Sequence, residues 1–196
     1  MSQQDKQDQS SCPEWKANIW APWRIEYIQS LGGEGNGCFL CDIRDKPACD
    51  EKNLLLWRGR LCLALLNRFP YTGGHSLVAP MRHVADLSDL DDATVLEMMA
   101  MVRDLPKAIT GAIGAQGFNV GINIGRCAGA GLPGHLHIHV VPRWSGDTNF
   151  MAVFGDVRVI PDALDRLREK ILAAAATLHL PALASGDGPA EAGRQG

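Results

Sequence analysis

No uninterrupted apolar run in this chain approaches the ~20 residues that span a bilayer, so a membrane span is not expected. Met1 to Ser11 carry no apolar stretch either, which argues against a secretory signal. An excess of charge is also missing. Nineteen Lys+Arg against 22 Asp+Glu leave a net charge of −3, too balanced for a general affinity for nucleic acid or anionic lipid. Cysteine is scarce, with 6 in 196 residues. That excludes a disulfide scaffold, and without an export signal the thiols are expected to stay reduced. A soluble, cytoplasmic protein with no nucleic-acid or membrane partner is the expectation.

What is present is ordinary globular material, 46% hydrophobic and 21% charged, long enough to bury a core. The sequence predicts a flexible N-terminal tail over 1–17, one domain over 18–178 and a flexible, Gly/Ala/Pro-rich tail over 179–196. No long linker, internal repeat or charge shift divides the middle. The core begins at Trp20-Ala-Pro-Trp-Arg24, and a Gly-containing loop, 32–37, leads to Cys38-Phe-Leu-Cys41. Leu54–Trp57 and Leu61–Leu66 read as strands of a hairpin turning at Arg58-Gly59-Arg60. Ser76–Ala79 reads as another strand, ended by Pro80.

From Ser88, taken as N-cap, apolar residues at 90, 95, 98, 99, 102 and 105 recur at helical spacing. Pro106 is expected to kink or end that helix early. Phe118–Ile124 alternates as a strand should, and a Gly-rich loop, 125–134, feeds a strand over His135–Val141. Short apolar runs flank Gly155, and Pro161 opens an amphipathic helix over Asp162–Leu178. Strands outnumber helices and are joined by tight turns. The expected fold class is α+β, a mostly antiparallel sheet of about five strands with one main crossover helix and a C-terminal helix.

His135-Leu-His137-Ile-His139-Val-Val141 is the most informative segment. In an extended strand alternate side chains share a face, so the three imidazoles project together and Leu136, Ile138 and Val140 turn the other way. Each ring carries polar nitrogens that need partners, so such a face is costly unless it binds something. Three readings stay open: exposed strand histidines, a His-x-His metal pair, or nucleophilic catalysis on phosphorus. The last is favoured by context. Imidazole is nucleophilic at neutral pH, and the adjoining Gly125–Gly134 loop offers backbone N–H groups of the kind that cradle phosphate oxygens.

With these residues the sequence resembles the histidine-triad family of nucleotidyl hydrolases and transferases. The resemblance runs from about residue 20 to 160 through HLHIHVVPRW, Asn67-Arg-Phe-Pro-Tyr-Thr-Gly-Gly-His75, Pro80-Met-Arg-His83 and Gly117-Phe-Asn-Val-Gly-Ile-Asn123. Pro142–Met151 and Trp20–Arg24 look most like the diadenosine tetraphosphate phosphorylase (ATP adenylyltransferase) branch. The resemblance implies the histidine-triad fold, a homodimer and a nucleotide substrate. It makes His137 the nucleophile that is nucleotidylated, and His139 a group that binds phosphate oxygens and helps the leaving group take a proton.

Asn67 matches the ribose contact, and Leu65 and Leu66 would flank the base. His75 matches a second pocket histidine, with a purely structural role as the alternative. Asn123 borders the phosphate site or stabilises a turn. Gly129 and Gly131 would bind phosphate through the backbone, because Ala130, Gly131 and Leu132 stand where related branches carry Gln or Ser. Arg143 is either a phosphate ligand or a surface charge. The implied reaction is nucleotidyl transfer from dinucleoside polyphosphates through a nucleotidyl-histidine. The alternatives are a hydrolase of the same substrates or of nucleoside phosphoramidates, and a non-catalytic nucleotide-binding module.

Cys38 and Cys41 form a chelating pair, a spacing shared with redox pairs. Zinc needs a second pair of ligands. His83 and His135 are the candidates, and the resembling families, with the galactose-1-phosphate uridylyltransferases, bind zinc through that set. A Cys2His2 set leaves no open position for water, so the zinc would be structural. Mg2+ carried in with a polyphosphate is compatible with this reading.

Overall fold

The computed structural model describes residues 37–147 and 163–183. The expectations that fall on Trp20–Arg24, the runs flanking Gly155, and Pro161 with Asp162 lie outside those residues. The described chain forms a five-stranded antiparallel sheet with three α-helices. The strands are β1 (Leu55–Arg58), β2 (Cys62–Leu66), β3 (Ser76–Pro80), β4 (Gly117–Ile122) and β5 (Ile138–Arg143), in the spatial order β1-β2-β3-β5-β4. The helices are α1 (Phe39–Asp45), α2 (Asp92–Ile113) and α3 (Leu164–Ala176). The α+β expectation is met. Among the described residues no helix is long and apolar enough to cross a membrane.

The hairpin β1–β2 turns where expected, with Gly59 N–H donating to Cys62 O. Glu97 of α2 accepts from the N–H groups of Leu61 and Cys62 at 2.8 and 3.0 Å. Inner strands β2 and β3 are buried along their whole length, which is why they read as continuous apolar runs rather than clean alternations. One face of the sheet, with Ala64, Leu66, Val78, Ile138 and Val140, packs against Met98, Met101, Leu105 and Ile109 of α2. The other face packs Leu63, Leu65, Leu77 and Ala79 against Leu40 and Ile43 of α1.

Helix α2 starts later and runs further than the pattern implies. Its N-cap is Asp91, whose carboxylate accepts the Thr94 N–H at 2.8 Å. Ser88 instead sits in a single 3-10 turn capped by Asp86, and extended backbone at Leu90 separates that turn from the helix. Pro106 does not end α2. It removes one backbone donor, but Leu105, Ala108 and Ile109 around it are fully buried, and burial of that face outweighs one missing bond. Gly114, left-handed at φ 63°, closes the helix by donating to Thr110 O.

Packing also continues beyond residue 178, where the C-terminal tail was expected to begin. Leu180 and Leu183 are buried in the main core. Ala182 N–H donates to the buried carboxylate of Asp104, which also pairs with Arg103 and Lys107. The apolar side chains at 180 and 183 sit in a Pro/Ala-rich stretch without periodicity, so their burial leaves no pattern in the sequence.

Candidate active site and metal centre

Strand β5 is an inner strand, paired antiparallel to β3 and β4. Its ladder starts at Ile138, three residues later than expected. Ahead of it, Leu136 N–H donates to Val84 O at 2.7 Å, so His135 and Leu136 are held by the segment after β3. The three histidines therefore serve two centres. His135 turns toward the cysteines, while His137 and His139 remain together, ring centroids 4.9 Å apart.

Hydrogen bonding fixes where each ring carries its proton. A carbonyl oxygen only accepts. His137 Nδ1 lies 2.9 Å from His135 O, so Nδ1 bears the hydrogen and Nε2 keeps its lone pair. Burial pushes the His137 pKa down, against the opposing pull of that carbonyl, which keeps the ring neutral and nucleophilic. Fully buried His75 accepts the Tyr71 N–H on Nδ1 at 3.1 Å, with the Asn67 amide at 3.4 Å from the same atom. His75 therefore carries its hydrogen on Nε2 and donates to His139 Nδ1 at 3.0 Å. A neutral His139 then has its own proton on Nε2.

The expected site residues separate on this geometry. Asn67 joins the cluster through His75 and also accepts the Phe69 N–H, folding the 67–75 loop. His75 has no exposed surface and joins the cluster through its hydrogen bond to His139. Asn123 donates to Gly129 O at 3.4 Å, linking the end of β4 to the Gly-rich loop. The Gly129 N–H bonds Arg126 O inside that loop, and Ala128 and Ala130 N–H groups bond Gly125 O. Gly129 therefore shapes the loop, and Gly131 follows two residues on. Arg143 sits at the far end of β5, bonded to Asn119 Oδ1 at 2.9 Å and to Asp147 at 2.8 Å. The sequence reading missed Tyr71, whose backbone orients His75, and Asn119 and Asp147, which hold Arg143. A backbone donor has no side-chain signature, so Tyr71 could not have been found that way.

The second centre gathers Cys38, Cys41, His83 and His135, with one ligand atom from each lying within 4.8 Å of every other. Cys38 Sγ is 3.0 Å and Cys41 Sγ 3.6 Å from His135 Nδ1, and Cys41 Sγ is 3.3 Å from His83 Nδ1. Tetrahedral zinc separates sulfur and nitrogen ligands by about 3.6 Å, so the set fits a metal with small adjustments. His135 Nε2 donates to Pro80 O at 2.8 Å, which leaves Nδ1 as the ligating lone pair. Burial beside Cys41 pushes the Cys38 thiol up to about 11. Among the described residues this is the one such cluster, so they supply no cage for the substrate-borne Mg2+.

Helix α1 is held independently of any metal. Arg58 donates to the carbonyls of Ile43 and Arg44 at its C-terminal end, and Arg44 donates to Met81 O.

A family model for the HIT domain matches residues 51–146. An "AP-4-A phosphorylase" of Mycobacterium tuberculosis is 46% identical over 151 residues, covering 74% of this chain and 77% of that protein. A zinc-bound histidine triad family protein from Mycobacterium smegmatis superposes with a TM-score of 0.59 at 31% identity, over 72% of this chain and 94% of that one. A hypothetical histidine triad nucleotide-binding protein from Sulfolobus tokodaii gives 0.59 at 26%, over 71% and 93%. Two adjacent histidine rings beside one inner strand, the matching domain and these relatives agree: the chain belongs to the histidine-triad (HIT) family of enzymes.

Proposed function

We propose that the protein is a dinucleoside polyphosphate phosphorylase working through a nucleotidyl-histidine. The observation that carries this reading is the His137 Nδ1 bond to His135 O, which presents an unprotonated Nε2 at the site. In the first displacement Nε2 forms a bond to the α-phosphorus while the bond to the bridging oxygen breaks and the distal nucleotide leaves. The His139 Nε2–H, oriented by His75, donates a hydrogen bond to that oxygen and stabilises its developing charge. In the second, an oxygen of inorganic phosphate attacks the same phosphorus, the P–N bond breaks, and a nucleoside diphosphate departs. The similarity to the mycobacterial phosphorylase supports phosphate as the acceptor. Asn67 and the apolar Leu65 side would receive the proximal nucleoside, and Asn123, Gly129 and Gly131 border its phosphate.

Zinc is the reading for the Cys38, Cys41, His83 and His135 cluster, supported by its donor set and by the zinc-bound relative. Four protein ligands close the coordination shell, so the metal's contribution is structural. The residues it joins belong to α1, the segment after β3 and the approach to β5. A homodimer is part of the same reading. Among the described residues no strand pairs with the outer edge of β4, and Val120 and Ile124 beside it are exposed; sedimentation gives the answer.

The functional test is incubation with diadenosine tetraphosphate, with and without phosphate. ADP and ATP that form only with phosphate are expected, and His137→Asn abolishes both. AMP and ATP formed regardless of phosphate would make the enzyme a hydrolase. Undiminished turnover by His137→Asn would end the covalent account.

A further inference from the structure

Outer strand β4 runs beside the catalytic strand with Gly121 directly opposite His139 and Asn119 opposite Val141. Opposed residues of an antiparallel pair point to one face. Gly121 therefore lies on the face of His137 and His139, while Phe118 and Ile122 pack into the core beneath. Among the described residues, a Cβ built on Gly121 meets no atom within 4 Å, and its backbone is not among the left-handed glycines. Neither conformation nor packing requires glycine here. A glycine inside a strand costs stability, and one recurrent reason to keep it is close approach of a ligand. Any side chain at 121 would start about 5 Å from the Cβ of His139, above the ground a leaving group must cross.

We infer that Gly121 is a specificity-determining residue for the leaving half of the substrate. Its missing side chain opens a lane along β4 and β5 from His139 past Asn119 to Arg143, and the lane takes the distal nucleotide of a dinucleoside polyphosphate. The inference rests on the function proposed above. Four residue steps along the strand lead from His139 to Arg143, roughly 13 Å, which is room for what lies beyond the α-phosphorus. Along the lane stand donors suited to phosphate and ribose oxygens: the Asn119 amide, whose Oδ1 is turned to Arg143, and the guanidinium of Arg143, which Asp147 holds in place. A substrate with a small leaving group needs none of this space.

The test compares Gly121→Ala and Gly121→Val with wild type on two substrates sharing one adenosine and one reacting phosphorus. Diadenosine tetraphosphate releases ATP, and adenosine 5′-phosphoramidate releases ammonia. Gly121→Val is expected to lower kcat/KM for the tetraphosphate roughly 10–100-fold, chiefly through KM. Gly121→Ala falls between it and wild type, and the phosphoramidate is turned over at nearly the wild-type rate by both. Melting curves check the fold, and if the valine variant unfolds the alanine variant carries the comparison. Equal losses on both substrates, or no loss on either, overturn the lane while leaving the phosphorylase reading intact. Wild type inactive on the tetraphosphate overturns both.

Discussion

His75 donates from Nε2 to His139 Nδ1 across 3.0 Å while its other nitrogen accepts the Tyr71 N–H. A ring with no solvent contact thus decides which nitrogen of its neighbour is left for other partners. Removing that donor frees His139 to turn or to change tautomer. His75→Leu is expected to lower kcat about 10–100-fold, part of the 10²–10⁴ a positioned proton donor supplies, with KM little changed. His75→Gln, which keeps an N–H, should recover part of the loss. Steady-state kinetics on the three proteins decide it, and a KM effect alone would return His75 to a substrate contact.

The pH profile follows from the His137 environment. Burial lowers its pKa below the ordinary 6.5, so the neutral ring predominates at pH 6.5 and protonation takes over only at lower pH. The acid limb of kcat/KM is expected below pH 6.5. A limb at or above 6.5 would contradict a buried neutral nucleophile.

Metal removal separates the two centres. Purified protein should hold one zinc per chain. Cys41→Ser should lose it and melt at a lower temperature, because binding free energy in such sites is folding free energy. His137→Asn should retain both zinc and melting temperature. Zinc that persists in Cys41→Ser and vanishes in His137→Asn would move the metal to the triad.

Asp104 predicts an acid sensitivity remote from the site. Its hydrogen bonds with Arg103, Ala182 and Lys107 hold the carboxyl at about 2, below the usual 3.8. A depressed folded value means the stabilisation is present above 3.8 and is lost as pH falls through about 2. Asp104→Asn should destabilise by about 2 kcal/mol, a drop in Tm of roughly 4–8 °C, while kcat is unchanged. Thermal melts at pH 7 and kinetics check both halves.

The histidine segment was legible because its residue types stand in the sequence directly, although alternation put all three rings on one face and the structure turns His135 toward the cysteines. His83 and His135 are 52 residues apart in sequence, and the family resemblance pointed to both as candidates beside the Cys38–Cys41 pair; the structure brings the four together. What escaped reading was allocation among equivalent groups. Ser88 and Asp91 are both good caps, and only the extended backbone at Leu90 chooses between them. Pro106 is a breaker locally, and the buried face around it overrules that. The Gly-rich loop looked like a row of open amides, but three of them close its own turns.

The alternation of β5 has one more consequence. Ile138 and Val140 hold the core under α2, and the rings at 137 and 139 point the opposite way. The interior on the α2 side and the proposed chemistry thereby fall to different residues of one short segment. An exchange at either ring would therefore leave the contacts between Ile138, Val140 and α2 in place.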